Sequence, residues 1–267
     1  MPKPPTPGYL YYLWKDGAST PVPLPFTTPF PEGGINDNGA ITGNAATQLG
    51  ISGFILDFFG LTLFQVPAGS RTDANGINNS DSVVGRDGGS GYIRSSTGVV
   101  SLIDVANSFF TEANGINNAG DIVGAYGDLA SGNRHGFLLR QGVFSDVLYP
   151  ESLFTEASGI NDLGDIVGDY TDSQSGVHGF VLSNSTYSTL DFPGANFTVA
   201  LGINDSGSIV GLYWTGVSAI GFIASPVAPV PEPSALPLKA ACLTGLAIAF
   251  RRKSMPLLGK WANYWRT

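Results

Sequence analysis

The chain has 267 residues, 43% hydrophobic and 13% charged, with 36 Gly and 18 Pro. That balance excludes a disordered chain and disfavours a helical one, because helices draw on Ala, Leu, Glu and Lys, whereas Gly, Pro and aromatics suit short strands joined by tight turns. The net charge of −8 is unevenly placed: from Pro231 onward six basic residues stand against the single acid Glu232, leaving a body near −13 and a tail near +5. Such an acidic body repels phosphate backbones and excludes nucleic acid as a partner.

The chain opens on MPKPPTPGYLYYLWKDG, which holds no continuous apolar region and no small-residue cleavage site, so it is not expected to act as a secretory signal. GYLYYLW and STPVPLPF nevertheless look like two strands. From there a repeat takes over. The triplet Gly-Ile-Asn stands at Gly34, Gly76, Gly115, Gly159 and Gly202, at spacings of 42, 39, 44 and 43 residues. Around it the copies align without gaps as GINDNGAITG, GINNSDSVVG, GINNAGDIVG, GINDLGDIVG and GINDSGSIVG. Three copies are preceded by TDAN, TEAN or TEAS. All are followed by a polar loop and then GFIL, GYIR, GFLL, GFVL or GFIA, and the first four end in a strand-like run, mostly close to a proline.

Each unit therefore offers four strands. The first is centred on the Ile of the triplet. A tight turn at Asn-Asp-x-Gly, expected as a two-residue hairpin turn because Asn, Asp and Gly tolerate positive φ, leads into the second. Four strands in about 42 residues match a propeller blade, and one blade buries its faces only by stacking on its neighbours. The expectation is an all-β repeat protein, a five-bladed or incomplete six-bladed β-propeller of four-stranded antiparallel blades, with an open β-solenoid as the other arrangement that accommodates the pattern. The fifth unit lacks a fourth strand, and the N-terminal strands are expected to clasp it. The triplet residues Ile35, Ile77, Ile116, Ile160 and Ile203 are expected to point into the interfaces between sheets.

On these residues the units resemble the extracellular HAF repeat family. The segments that carry the likeness are His135-Gly136-Phe137 and His178-Gly179-Phe180, each preceded by Gly-Ile-Asn and Gly-Asp-Ile-Val-Gly. The resemblance spans roughly residues 34–223 and implies an exported bacterial protein of β-rich repeats, with no activity attached.

The tail, VPEPSALPLKAACLTGLAIAFRRK, is similar to the PEP-CTERM sorting signal. The matching residues are Val230, Pro231, Glu232, Pro233 and Ser234, then an apolar run from Ala235 to Phe250, then Arg251, Arg252 and Lys253. The resemblance implies an exosortase-type sorting protease as a partner, a membrane held through the tail until processing, and an exopolysaccharide-producing Gram-negative bacterium as source. A proline-rich segment cannot enter a sheet and stays accessible, a short apolar run is expected as a hydrophobic helix, and the basic cluster favours the cytoplasmic side. Lys239 interrupts the run, which at 16 residues is shorter than the about 20 needed to span a bilayer. The chain thus divides into a repeat domain over 1–225, a Pro-rich linker over 226–234, a sorting segment over 235–253 and an extension over 254–267.

Several residue groups invite a chemical role, and each has a structural one beside it. Asp162, Asp165, Asp169 and Asp172 lie close enough in sequence to suggest calcium. Ala40 and Ser208 replace Asp165 in other copies, however, and turn chemistry explains the acids more simply, so no cofactor is expected. His135 and His178 occupy equivalent strand-start positions that Ser52 and Ile220 fill elsewhere, and two histidines alone do not make a zinc site. The single cysteine, Cys242, lies in the tail, which excludes an intramolecular disulfide and a Cys nucleophile in the body. No nucleophile elbow, phosphate loop or His-Glu-x-x-His occurs, and no catalytic residues are assigned. The expected function is a cell-surface or extracellular-matrix module that binds polysaccharide or protein. The alternative is a carbohydrate-active propeller enzyme with acids in the central channel, which requires two carboxylates to converge.

Overall fold

A computed structural model describes residues 33–48, 50–66 and 71–226 in full, and the backbone of four short strands outside them. The protein is a five-bladed β-propeller, with five four-stranded antiparallel sheets in a ring. A separate two-stranded hairpin of β1 (Tyr11–Lys15) and β2 (Ala18–Val22) precedes the first blade. Blade 1 comprises β3 (Pro29–Phe30), β4 (Ile41–Thr47), β5 (Gly50–Asp57) and β6 (Gly60–Phe64). Blade 2 comprises β7 (Thr72–Ile77), β8 (Val83–Asp87), β9 (Ser90–Arg94) and β10 (Val100–Ile103). Blade 3 holds β11 (Ser108–Ile116), β12 (Ile122–Asp128), β13 (Arg134–Arg140) and β14 (Val143–Val147). Blade 4 holds β15 (Phe154–Ile160), β16 (Ile166–Thr171), β17 (Val177–Ser183) and β18 (Thr186–Leu190). Blade 5 holds β19 (Phe197–Ile203), β20 (Ile209–Trp214), β21 (Ala219–Pro226) and β22 (Ile248–Arg251).

One device joins blades 2, 3 and 4 each to the next, and in blade 1 Thr42 stands at that position. The forward Val of a second strand inserts among the apolar residues of the following blade: Val84 beside Ile116 and Ile122, Val123 beside Ile160 and Ile166, Val167 beside Ile209. Burying a Val or Ile in this way contributes roughly 1.5–3 kcal/mol. The first strands run closest together, and this is why the triplet begins with Gly. A Cβ at Gly115 would stand 3.2 Å from the Gly159 Cα, and one at Gly159 3.0 Å from the Gly202 Cα. A β-bulge just before the triplet in blades 2 to 5 turns one residue out of the ladder. In blades 2 and 3 that residue, Asn75 or Asn114, donates to the carbonyl of Ala113 or Ala157 in the next blade, so the bulge re-aims a side chain across the interface.

The triplet Asn does two jobs at once. In blade 4 the Asn161 Oδ1 accepts from the amides of Leu163 and Asp165, closing the turn, while its Nδ2 donates to the Asn204 carbonyl of blade 5. Equivalent bonds run from Asn36 to Asn78, Asn78 to Asn117 and Asn117 to Asn161, at 2.9, 3.1 and 3.2 Å.

Four expectations are corrected. The turn is not a two-residue hairpin: Asn78 and Ser82 close a three-residue loop whose last residue, Asp81, takes φ of 56°, and Gly fills that place in the other copies. The N-terminal strands do not clasp blade 5, because β1 and β2 form their own sheet and the fourth strand of blade 5 is β22. Residues 248–250, the end of the expected hydrophobic helix, are therefore strand, while 235–247 lie outside the described residues. No helix among the described residues is long and apolar enough to cross a membrane. Finally, Ile77, Ile116 and Ile160 are buried and Ile203 is half-buried, but Ile35, in the first blade, is 52% exposed.

Candidate functional site

The segment that leaves each outer strand for the next blade is held at a fixed curvature by one bond. The Thr that opens the following first strand accepts from a connector amide: Val66 to Thr72, Val105 to Thr111, Tyr149 to Thr155 and Phe192 to Thr198. In two consecutive interfaces this arched connector leaves an open groove. The first, about 230 Å³, lies between blades 3 and 4 and is lined by His135, Tyr149, Pro150, Glu151 and Leu153 among others. The second, about 260 Å³, lies between blades 4 and 5 and is lined by His178, Asp191, Phe192, Pro193, Asn196 and Phe197 among others. The two are one site repeated. His135 matches His178, Tyr149-Pro150 matches Phe192-Pro193, and Tyr149 and Phe192 stack on Tyr170 and Tyr213 at 3.6 and 3.7 Å.

In the second groove His178 lies over Tyr170 and between two carboxylates. Its Nδ1 is 2.9 Å from Asp191 and its Nε2 3.4 Å from Asp172. Burial works against the charged imidazole, but the hydrogen bonds and charges of Asp191 and Asp172 outweigh it and hold His178 above its ordinary value. Asp172 is lowered, first by the Gly176 amide that it accepts from. In the first groove His135 instead faces the Tyr126 hydroxyl at 3.3 Å, and that hydroxyl donates to Asp146 at 2.8 Å. Burial, then the bond to Asp146, pushes Tyr126 up to about 12.

A second polar cluster lies on the inner strands. Arg134 bridges Glu112 at 3.1 Å and Glu156 at 2.9 Å, joining blades 3 and 4, and Asn114 donates to Glu156 at 3.0 Å. Arg86 and Arg134 both stand 5.3 Å from the Phe110 ring centroid. Asp169 pairs with Glu156 across the strands. Burial pushes its carboxyl up to about 8, the Glu156 charge adds to the rise, and Arg134 opposes it. Burial raises Glu156 as well, against the pull of Arg134.

The four acids weighed for calcium are not brought together. Asp162 accepts from Asn118, Asp165 from Asn161, Asp169 joins the Arg134 cluster, and Asp172 caps its own loop and meets His178. Among the described residues no group of three His, Cys, Asp or Glu is placed to hold a metal. Val230, Pro231, Glu232, Pro233, Ser234, Arg252 and Lys253 lie outside the described residues, and Arg251 ends β22. Sequence reasoning missed the Arg134 cluster, although Glu112 and Glu156 share one repeat position, and it missed the grooves, whose signal was the aromatic-proline pair that ends a unit.

No protein-family model matches the chain, and no curated protein matches it. Among solved structures, the chain is similar to a virginiamycin B lyase from Staphylococcus aureus at 14% identity and a TM-score of 0.46, over 76% of this chain and 71% of that one. It is also similar to a fucose-specific lectin from Aleuria aurantia at 10% identity and 0.42, over 73% of each chain. A third likeness is to dipeptidyl peptidase 4 of Porphyromonas gingivalis, at 13% identity and 0.42, over 82% of this chain and 32% of that one.

Proposed function

We propose that the protein is an exported bacterial surface or matrix module that binds an extracellular polysaccharide through its inter-blade grooves. The observation that carries this reading is the repetition of one groove of His, aromatic and proline between consecutive blades, with a carboxylate on each rim, Glu151 in one and Asp191 in the other. An aromatic face with carboxylates at its rim suits a sugar ring, which offers C–H groups to one and hydroxyl donors to the other. Each groove is smaller than the roughly 300–1,000 Å³ of a drug-sized pocket, so each would take one ring of a longer chain. Two weak grooves on one rigid scaffold add avidity for a polymer without any new contact. Export, processing by an exosortase-type protease and an envelope or extracellular location belong to the same proposal, and they rest on the order of Pro231-Glu232-Pro233, the apolar run and Arg251-Arg252-Lys253.

The test is a glycan array with the purified repeat protein, repeated with Phe197→Ala and Leu153→Ala, one change per groove. Each single variant should bind a polymer more weakly and the pair should abolish binding. Undiminished binding by the double variant would remove the grooves from the reading. A second reading, a carbohydrate-active enzyme, is favoured by the pair Asp169 and Glu156, two carboxyls that burial raises beside the Arg134 guanidinium. Hydrolysis of an array hit that Glu156→Gln stops, with binding intact, would select it.

A further inference from the structure

The two grooves differ in where they keep a carboxylate. Each connector ends at the Thr that fixes it, and the last three read DVANSFFT, LYPESLFT and DFPGANFT over 104–111, 148–155 and 191–198. In the first and third the acid stands at the head, as Asp104 and Asp191. In the second Leu148 takes that place, and the acid reappears further on as Glu151. Each connector thus carries one carboxylate, although its position moves.

The move strains the backbone. The place of Glu151 is left-handed in all three connectors, with φ of 60° at Asn107, 60° at Glu151 and 80° at Gly194. Gly and Asn enter this region readily, whereas a long side chain enters it at a penalty. A strained residue at the rim of a cavity points to a use for its side chain. Glu151 is exposed at the groove, and its carboxylate meets no donor among the described residues, so it neither caps a turn nor joins two blades. Asp191, by contrast, is engaged by His178 at 2.9 Å.

Charge decides what the free carboxylate is for. The body is near −13, and no Lys occurs between residues 33 and 226. Its Arg side chains are all taken up: Arg71 by Asp73, Arg86 and Arg134 by Glu112, Arg140 by Asp121, and Arg94 over the Phe64 ring. None of them lines either groove. Such a surface repels polymers of uronate, sulfate or phosphate sugars and draws cationic ones. A neutral ring needs no charge at this place, and the Asn and Gly of the other connectors supply none. An ammonium group gains a charge-assisted bond there. We infer that Glu151 is the specificity-determining residue of the groove between blades 3 and 4, and that the ring it selects carries a free amine, so the polymer is an amino-sugar polysaccharide. The inference rests on the grooves being sugar sites and adds which sugar they take.

The probes are the hexamers of glucosamine and of N-acetylglucosamine, which share a backbone and differ in charge. In calorimetry with the full chain at low salt, the glucosamine hexamer should bind about tenfold more tightly, the difference between a charge-assisted hydrogen bond and a neutral one. The preference should fade as salt screens the charge. Glu151→Gln keeps the size of the side chain and should bind the two hexamers alike. Glu151→Gly should lose the preference too, with no loss of melting temperature, because the left-handed position then holds no side chain. Failure of both hexamers to bind at millimolar concentration, equal binding of the two by the native chain, or a preference that survives Glu151→Gln each overturns the inference and leaves the sugar reading to the array. Binding of the glucosamine hexamer that Leu153→Ala leaves untouched removes the groove itself. Hexalysine that displaces the glucosamine hexamer at equal concentration also overturns the inference, since the groove then takes a basic peptide.

Discussion

Val167 and Val210 hold the same position in adjacent units, and they separate packing from sequence identity. Val167 is wholly buried and packs in a cluster with Leu190, Ala200, Ile209, Tyr213 and Phe222, whereas Val210 is 48% exposed. Val167→Ala removes two carbon groups, each worth about 0.8 kcal/mol when buried, and the stacked Phe192–Tyr213 pair beside the site limits collapse into the space. The transfer loss with a modest cavity contribution comes to about 2 kcal/mol. Val210→Ala should change stability by less than about 0.5 kcal/mol, the usual range for surface positions. Urea unfolding followed by far-ultraviolet circular dichroism measures both, and the slopes must match for the comparison to hold. Equal losses of about 2 kcal/mol at the two positions would mean that Val210 is covered as deeply as Val167, and the seam between blade 5 and blade 1 would be closed within the chain. A negligible loss at Val167 would mean that the forward Val does not hold the blades together.

Three further outcomes follow from the polar groups. Asp169 has a folded pKa near 8, above the ordinary carboxyl range, so between about pH 4 and pH 8 the folded state holds a proton that the unfolded state has released. Stability should fall across that window, by at most about 1.4 kcal/mol per pH unit for the one group, and Asp169→Asn should flatten the fall; urea midpoints at five pH values check this, and an unchanged slope refutes it. Asn161→Ala removes two turn bonds and a part-buried bond to the Asn204 carbonyl, and should cost about 2–3 kcal/mol, whereas Asn204, which among the described residues makes only local turn bonds, should cost about 1 kcal/mol when changed to Ala in the same assay. His178 is raised by Asp191 and Asp172, so the stability it contributes is full below its unfolded pKa near 6.5 and is lost as pH rises through the folded value. Nuclear magnetic resonance titration of its ring should find a pKa above 6.5 that Asp191→Asn lowers, and an unmoved pKa would break the assignment of cause.

What the sequence made legible is what repeats. The 42-residue period, four strands per unit and the inward Ile of the middle copies all follow from local alternation and turn chemistry, and the structure agrees on each. The triplet Asn was legible only by half. Its turn role is local and can be read from one copy, but its bond to the next blade joins residues 39 to 44 positions apart and exists only once blades stack. The Arg134 cluster was hidden for a related reason. Arg134 occurs in one copy only, and its partners Glu112 and Glu156 lie on different blades, so no single unit displays the set.

The ends of the array show where a repeat pattern stops being informative. Ile35 and Val210 carry the same side chains or the same positions as residues that are buried in the middle of the chain, and a reading unit by unit assigns them the same burial. Burial in a stacked array, however, belongs to an interface and not to a unit, so five units define only four interfaces until the ring is closed. Whether Ile35 and Val210 are core or surface is then fixed by whatever occupies the seam. The same logic explains β22. A fourth strand adds only an outer edge to its own blade, so it needs two compatible faces and a free edge at β21 rather than the repeat motif, and a segment with no repeat signature at Ile248–Arg251 can fill the place. Inner strands have no such freedom, because each must present Gly, Ile, Asn and Val at once to the neighbours on both sides.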